Sequence, residues 1–190
     1  MRRQWVAALR MLVVLTVVTG VVYPLAVTVV AQLTMKSRAN GSLVKDGNGA
    51  IVGSSLIGQT FTGATWFQGR FDTDDPTATA PSNLGPSNPA LHKEATTNAD
   101  AVRKANSLAP NVPLPIDAVT SSGSSLDPDI SPAYARLQAP RVAAANGLSV
   151  DVVLQLISDQ TAGRTFGILG EPRVNVLLLN LALERLASGP

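Results

Sequence analysis

Apolar residues are distributed unevenly along this chain. One block, Met11 to Met35, reads MLVVLTVVTGVVYPLAVTVVAQLTM and contains no charged residue. At about 1.5 Å of rise per residue it predicts a helix long enough to cross a hydrocarbon core of about 30 Å. Beyond it the apolar positions break into short groups separated by Gly, Ser, Pro and charge, the pattern of a water-soluble domain. The chain thus divides into a short N-terminal segment 1–10, a transmembrane helix 11–35 and a soluble domain 36–190. A cleaved signal peptide is the competing reading, with Arg2 and Arg3 as its basic region and Val29-Val30-Ala31 as its cleavage site. The block outruns the roughly 7–15 apolar residues of such peptides. Trp5 and Arg10 also stand where interfacial anchors belong. Pro24 removes a backbone donor inside the block, which predicts a kink or a carbonyl left open to a neighbouring helix.

The domain reads as mixed helix and strand, of α+β class. Ala50-Ile51-Val52 and Ser55-Leu56-Ile57 suggest short strands within a Gly- and Ser-rich stretch, and Phe71 to Pro89 is loop. Ala90 to Leu108 suits a polar helix capped by Asn88 with Pro89 first. Prolines 110, 113 and 115 force an extended segment, and Ile116 to Thr120 reads as a strand. Ser131-Pro132 starts a helix that Pro140 should break or bend, and Asn146-Gly147 stops it. Ser149 caps the next helix, which puts Val152, Val153, Leu156 and Ile157 on one side. The last helix is expected from Arg173 to Ala187. Its apolar surface is wide enough to predict burial on more than one side.

Charge changes the picture only at the membrane end. The acidic and basic residues after position 35 nearly cancel, so Arg2, Arg3 and Arg10 supply the excess behind the net charge of +2. No basic patch suggests nucleic acid. Arg2, Arg3 and Arg10 before the block face Lys36, Arg38 and Lys45 after it, so charge favours a cytoplasmic N-terminus only slightly. There is no Cys, which excludes disulfides and thiolate chemistry, and His92 is the single His.

Candidate chemistry is sparse. No Walker A run and no G-x-G-x-x-G occurs. Ser42-Leu43-Val44-Lys45 has the spacing of Ser–Lys hydrolases but lacks their companion elements. Asp72, Asp74 and Asp75 suit a solvated acidic loop better than a cation site. The most unusual run is Thr120-Ser121-Ser122-Gly123-Ser124-Ser125 followed by Leu126-Asp127-Pro128-Asp129-Ile130-Ser131-Pro132. Its successive N–H groups can face an anion, or it is a tight loop feeding a capped helix. Ser121, Ser122, Gly123 and Ser124, with Gln138 and Arg141 reaching phosphate or base, form the candidate nucleotide site. Asn175 and Asn180, among apolar neighbours on the last helix, are expected to hydrogen-bond internally and fix it against the Gly-rich loops.

Several runs together carry a resemblance. They are Gly53-Ser54-Ser55-Leu56-Ile57-Gly58-Gln59, Trp66-Phe67 with Gly69-Arg70, and Ser82-Asn83-Leu84-Gly85-Pro86-Ser87-Asn88-Pro89. Val119 to Pro132, Pro140-Arg141-Val142-Ala143 and Gly170-Glu171-Pro172-Arg173-Val174-Asn175-Val176-Leu177 follow. In this order, behind one N-terminal helix, they resemble the C subunit of the Kdp potassium-transporting ATPase over nearly the whole chain. Two loops depart from that family: Ser125 replaces a glycine and Asp129 takes a His or amide position, while Phe71-Asp72-Thr73 replaces Pro-Ser-Ala. Asp72 and Asp129 would weaken any contact with an anionic ligand.

The resemblance implies an accessory, non-catalytic subunit in a bacterial inner-membrane complex. Its partners would be a potassium-binding channel-like subunit, a P-type ATPase subunit, a very small accessory subunit and the lipid bilayer. It also implies a catalytic chaperone that raises the ATPase subunit's affinity for ATP, with its N-terminus in the cytoplasm and its domain outside. ATP is cytoplasmic, so an external domain acts on it only through the membrane helices, as a coupling free energy. Direct ATP binding through loop 121–125 is the alternative, and it requires a domain that faces inward.

Overall fold

The computed structural model describes residues 1–72, 75–77 and 79–187. They fall into two compact units, residues 1–43 and 44–190. In the first unit a single helical stretch runs Arg2–Thr34, long and apolar enough to cross a membrane. It consists of α1 (Arg2–Val17), a π-helical turn (Val18–Val22) and α2 (Tyr23–Thr34). The π turn lies where Pro24 demands an adjustment. A proline ring clashes with the carbonyl four residues back and offers it no donor. Tyr23 N–H instead reaches five residues back to the Val18 carbonyl, so the helix absorbs the proline by widening one turn. A short α3 (Lys36–Ala39) follows.

The division falls within β1 (Leu43–Lys45), which pairs with β2 (Ile51–Ser54). Asp46 closes their turn by accepting from the N–H groups of Asn48 and Ala50 at 2.9 and 2.8 Å. Ser42 to Lys45 therefore enters a strand rather than the helical turn that stacks a Ser–Lys pair, and Ser55 to Ile57 is a turn, not a strand. The described residues of 71–88 hold no helix or strand. Next comes α4 (Pro89–Ala105), with Asn88 Oδ1 accepting from Ala90 N–H at 2.9 Å and His92 exposed.

Residues 116–118 form a 3₁₀ turn, not the expected strand. The turn places Asp117 to accept from Ser131 N–H at 2.6 Å and Ser131 Oγ–H at 3.0 Å. Ser131 Oγ in turn accepts from Tyr134 N–H at 3.0 Å and starts α5 (Pro132–Asn146). Pro140 does not break this helix. Both Pro140 and Arg136, whose carbonyl loses its donor, lie on the exposed side, where the orphaned oxygen is open to solvent. Gly147 ends the helix at φ 66°, a left-handed value that a side chain resists. Then α6 (Val150–Asp159) starts under the Ser149 cap and buries Val153 and Ile157.

The closing helix is shorter than expected. Arg173 to Asn175 form β5, the centre of an antiparallel sheet ordered β3-β5-β4, with β3 Asp129–Ile130 and β4 Thr161–Ala162. Ile130 and Thr161 both pair with Val174. Only then does α7 (Val176–Ala187) begin, with Asn175 Oδ1 accepting from Leu178 N–H at 3.1 Å. A three-residue strand in an apolar run carries no period, so sequence cannot separate it from the helix it feeds. The core joins α5, α6 and α7 through Tyr134, Ala135, Val142, Val153, Ile157, Leu179 and Leu183.

Candidate functional site

Three segments meet where the sequence suggested a ligand site: residues 58–72, loop 120–127 and the inner face of α5. Segment 63–70 passes from the exposed residues 63–65 to the buried Phe67 without belonging to a sheet, so side chains must satisfy its backbone where it is covered. Asn180 on α7 accepts from Phe67 N–H at 2.8 Å and donates to Phe67 C=O at 2.9 Å. Gln138 on α5 does the same for Gln68, at 2.8 and 3.0 Å. Two consecutive residues are thus gripped by two buried amides, Gln138 at 0% and Asn180 at 1% exposure.

Arg141 extends the grip. Its Nη1 donates to the carbonyls of Gly63, Ala64 and Trp66 at 3.2, 2.7 and 3.0 Å. Nε donates to Asn106 Oδ1 at 2.9 Å and Nη2 to Gln138 Oε1 at 2.7 Å. Burial pulls its pKa below the usual guanidinium value, with Tyr134 opposing. Asn146 Nδ2 adds a bond to Thr65 C=O at 2.9 Å. Gln138 and Arg141 therefore act on residues 63–68 rather than converging on loop 121–125.

The loop faces an anion, and the anion is Asp72. Its carboxylate accepts from Ser122 N–H at 2.6 Å, Ser122 Oγ–H at 2.7 Å and Asp127 N–H at 3.1 Å. Ser124 Oγ caps Leu126 N–H at 3.2 Å, and Ser125 Oγ, on a residue at φ 57°, donates to Ala80 C=O at 2.9 Å. Ser121 offers its carbonyl to Arg70 Nη2 at 2.8 Å. Nothing within 4 Å would meet a side chain added at Gly123. Gly58 is different: its N–H donates to Leu126 C=O at 2.8 Å, and a Cβ there would lie 2.7 Å from the Asp127 carbonyl oxygen. Of the acidic trio in the preceding loop, Asp74 lies outside the described residues. Asp75 turns onto Thr77, whose hydroxyl and N–H hold its carboxyl below the usual range.

A cavity of about 260 Å³ opens beside these segments, lined by Gln59, Phe61, Arg70, Phe71, Asp127 and Tyr134 among others. Arg70 lies 3.7 Å from the Asp127 carboxylate and also donates to Thr120. With Asp72 also at the wall, two carboxylates face one guanidinium. That balance is unfavourable to a polyphosphate. Among the described residues no three His, Cys, Asp or Glu side chains gather into a metal-holding group.

Sequence reasoning missed Asp72 as the loop's internal anion and the double amide grip on Phe67 and Gln68. The first had a trace, since Asp72 stands where the resembling family differs. The second had half of one, in the amide placed among the leucines of α7.

Fold and geometry define a class: one helix suited to crossing a membrane, joined to a small α+β domain whose conspicuous polar side chains hold its own backbone. The family model described as "KdpC: K+-transporting ATPase, c chain" matches residues 5–185. A potassium-transporting ATPase KdpC subunit of Mycobacterium tuberculosis is 51% identical over 190 residues, covering 98% of this chain and all of the relative. That of Myxococcus xanthus is 50% identical over 185 residues, covering 95% and 87%. That of Herpetosiphon aurantiacus is 47% identical over 193 residues, covering 99% of each. The chain belongs to the KdpC family and is a subunit of a K⁺-transporting ATPase.

Proposed function

We propose that this chain is the accessory, non-catalytic subunit of a potassium-uptake ATPase in the bacterial inner membrane. Helix 11–35 crosses the bilayer once, with the N-terminus in the cytoplasm and residues 36–190 outside. Its companions are a potassium-binding channel-like subunit, the P-type ATPase subunit that hydrolyses ATP and a very small accessory subunit. The domain stabilises their assembly. It raises the ATPase subunit's affinity for ATP indirectly, as a coupling free energy passed through packed membrane helices. Gly20, with open space around its Cα, and the proline-widened turn beside it give a partner helix a place of close approach.

One observation carries this reading: the side chains that looked like a nucleotide site serve the chain's own backbone. Arg141 spends its donors on carbonyls and two amide oxygens, and the loop's N–H groups already hold a carboxylate. A phosphate would have to displace Asp72 and then sit beside Asp127. Alkaline phosphatase fused after Pro190 tests the orientation, beside a reporter active only in the cytoplasm. Active phosphatase is expected; an inactive one beside an active cytoplasmic reporter overturns the external domain. Calorimetry of the full chain in detergent tests direct binding: heat saturating below millimolar ATP would return the site to loop 121–125.

A further inference from the structure

The excursion between β4 and β5, residues 163–172, is a hairpin whose tip carries apolar side chains with nothing of the domain over them. Thr165 and Leu169 exchange both N–H to C=O bonds, at 2.8 and 3.0 Å. Inside that bridge Phe166 and Gly167 both have positive φ, 54° and 77°. This sign pattern belongs to type I′ turns, where Asn-Gly is favoured because a bulky side chain resists the left-handed region. Phe166 is 89% exposed and Ile168 74%, with Leu169 more than half exposed. Phenylalanine is therefore unfavourable here twice over, for the backbone and for solubility. Neither the core nor the turn accounts for it.

The base of the hairpin is held by charge. Arg164 Nη2 donates to both carboxylate oxygens of Glu171, at 2.8 and 2.7 Å. Arg173, just beyond, pairs with Asp129 at 3.1 Å. Among the described residues the charges that flank the tip in sequence, Arg164, Glu171 and Arg173, are thus each matched, which leaves no surplus cation there for anionic lipid headgroups. The tip also lacks the Trp and Tyr of membrane interfaces. An aromatic held out on a hydrogen-bonded turn and flanked by aliphatic side chains fits a protein pocket, because the backbone that presents it is already set.

We propose that Phe166, Ile168 and Leu169 are a docking anchor that seats in an apolar pocket on an extramembrane face of a companion subunit of the same K⁺-transporting ATPase. The proposal rests on the assembly reading above and gives it a surface. Two variants separate docking from folding. Phe166→Asn suits the turn better, so the full chain should keep or raise its thermal midpoint while recovery of the complex in mild detergent falls about tenfold. Phe166→Ser with Ile168→Ser should lower recovery at least as much with the midpoint little changed. A photoreactive benzoylphenylalanine at 166, activated in the assembled complex, should join this chain to one companion subunit. If both variants assemble like the wild type, or the photoadducts form only with lipid, the docking anchor is lost while the assembly reading stands. If the wild-type chain itself never co-purifies with its companions, the assembly reading falls first.

Discussion

Residues 63–72 with loop 120–127, and the hairpin 163–172, are opposite solutions to the same constraint. In the first region polar groups are plentiful and turned inward: Gln138, Asn180, Arg141 and Asp72 each satisfy backbone that no sheet reaches. In the second, apolar groups are plentiful and turned outward, on a turn whose backbone resists them. A run of Ser and Gly beside an Arg looks like a ligand cradle in sequence, yet here it is a buried frame. The short apolar run Phe166-Gly167-Ile168-Leu169, by contrast, stands exposed at a hairpin tip. Chemistry available to a partner lies where demands are unmet, not where polar residues cluster.

The sharpest way to break this contrast is to remove one amide from the frame. Asn180→Leu leaves both the N–H and the C=O of Phe67 buried without a partner. Each orphaned group costs about 1–3 kcal/mol, so the domain should lose about 3 kcal/mol or more, read as a fall in the denaturation midpoint. Potassium affinity of whatever complex still assembles should not change. A stable Asn180→Leu chain with altered ATP or potassium response would move this amide from frame to site.

Asp72→Ala is a milder break and sharpens the reading of the loop. Three donors lose their acceptor, but the loop is only partly buried and water can replace the carboxylate, so the expected cost is about 1–2 kcal/mol. The emptied cradle should then admit inorganic phosphate weakly, seen as shifts of the Ser122 and Asp127 amide resonances. The wild-type chain should show none. Equal phosphate binding by both chains would mean that Asp72 does not fill an anion site.

Much of this frame was legible in sequence, and the illegible part has a physical reason. The caps at Asn88, Ser131 and Ser149 and the stop at Gly147 could be read because each is a local rule over three or four residues. The buried bonding expected of Asn180 is observed. Asn175 is half-buried and reaches Ser55 C=O at 3.0 Å in the Gly-rich stretch, although it caps the last helix instead of lying on it. Other features could not be read. Strand β5 is decided by neighbours distant in sequence, Thr161 opposite Val174 and Asp129 opposite Asn175. The 3₁₀ turn at 116–118 is set by Ser131, which Asp117 must reach. The backbone partners of Gln138 and Arg141 lie 70 and more residues away, so their residue types suggested a ligand while their bonds go to the chain itself.

Asp129 offers a smaller test, at the edge between frame and hairpin. Burial first, then neighbouring Asp127, raises its carboxyl above the usual carboxylate range, with Asn175 and Arg173 opposing. The folded state thus holds this proton more tightly than the unfolded one. Stability from this group falls as pH rises from the ordinary value of about 4 through the raised one, and the cost persists at neutral pH. Asp129→Asn keeps an oxygen for Asn175 and loses a partly exposed ion pair of small worth. It should raise stability by less than about 1 kcal/mol at pH 7 and change nothing at pH 3. A gain at pH 3 as large as that at pH 7 would contradict the assignment.

Tyr134 gives the smallest effect under ordinary conditions and the clearest one in alkali. It is 2% exposed and borders the cavity beside Phe61 and Arg70. Burial pushes its pKa up to about 12, with Arg141 opposing and Asp117 adding. Above pH of about 10 the unfolded chain gives up this proton and the folded chain keeps it, so the folded state binds more protons and stability falls as pH rises. The slope approaches 1.4 kcal/mol per pH unit until about pH 12. Tyr134→Phe deletes only the hydroxyl and keeps the buried ring, so at pH 7 its thermal midpoint should match the wild type closely. Between pH 10 and 12 the variant should hold its midpoint while the wild type declines. If the variant is already weakened at pH 7, the Tyr134 hydroxyl belongs to the inward-facing frame after all; if both chains decline in parallel in alkali, some other group governs that limb.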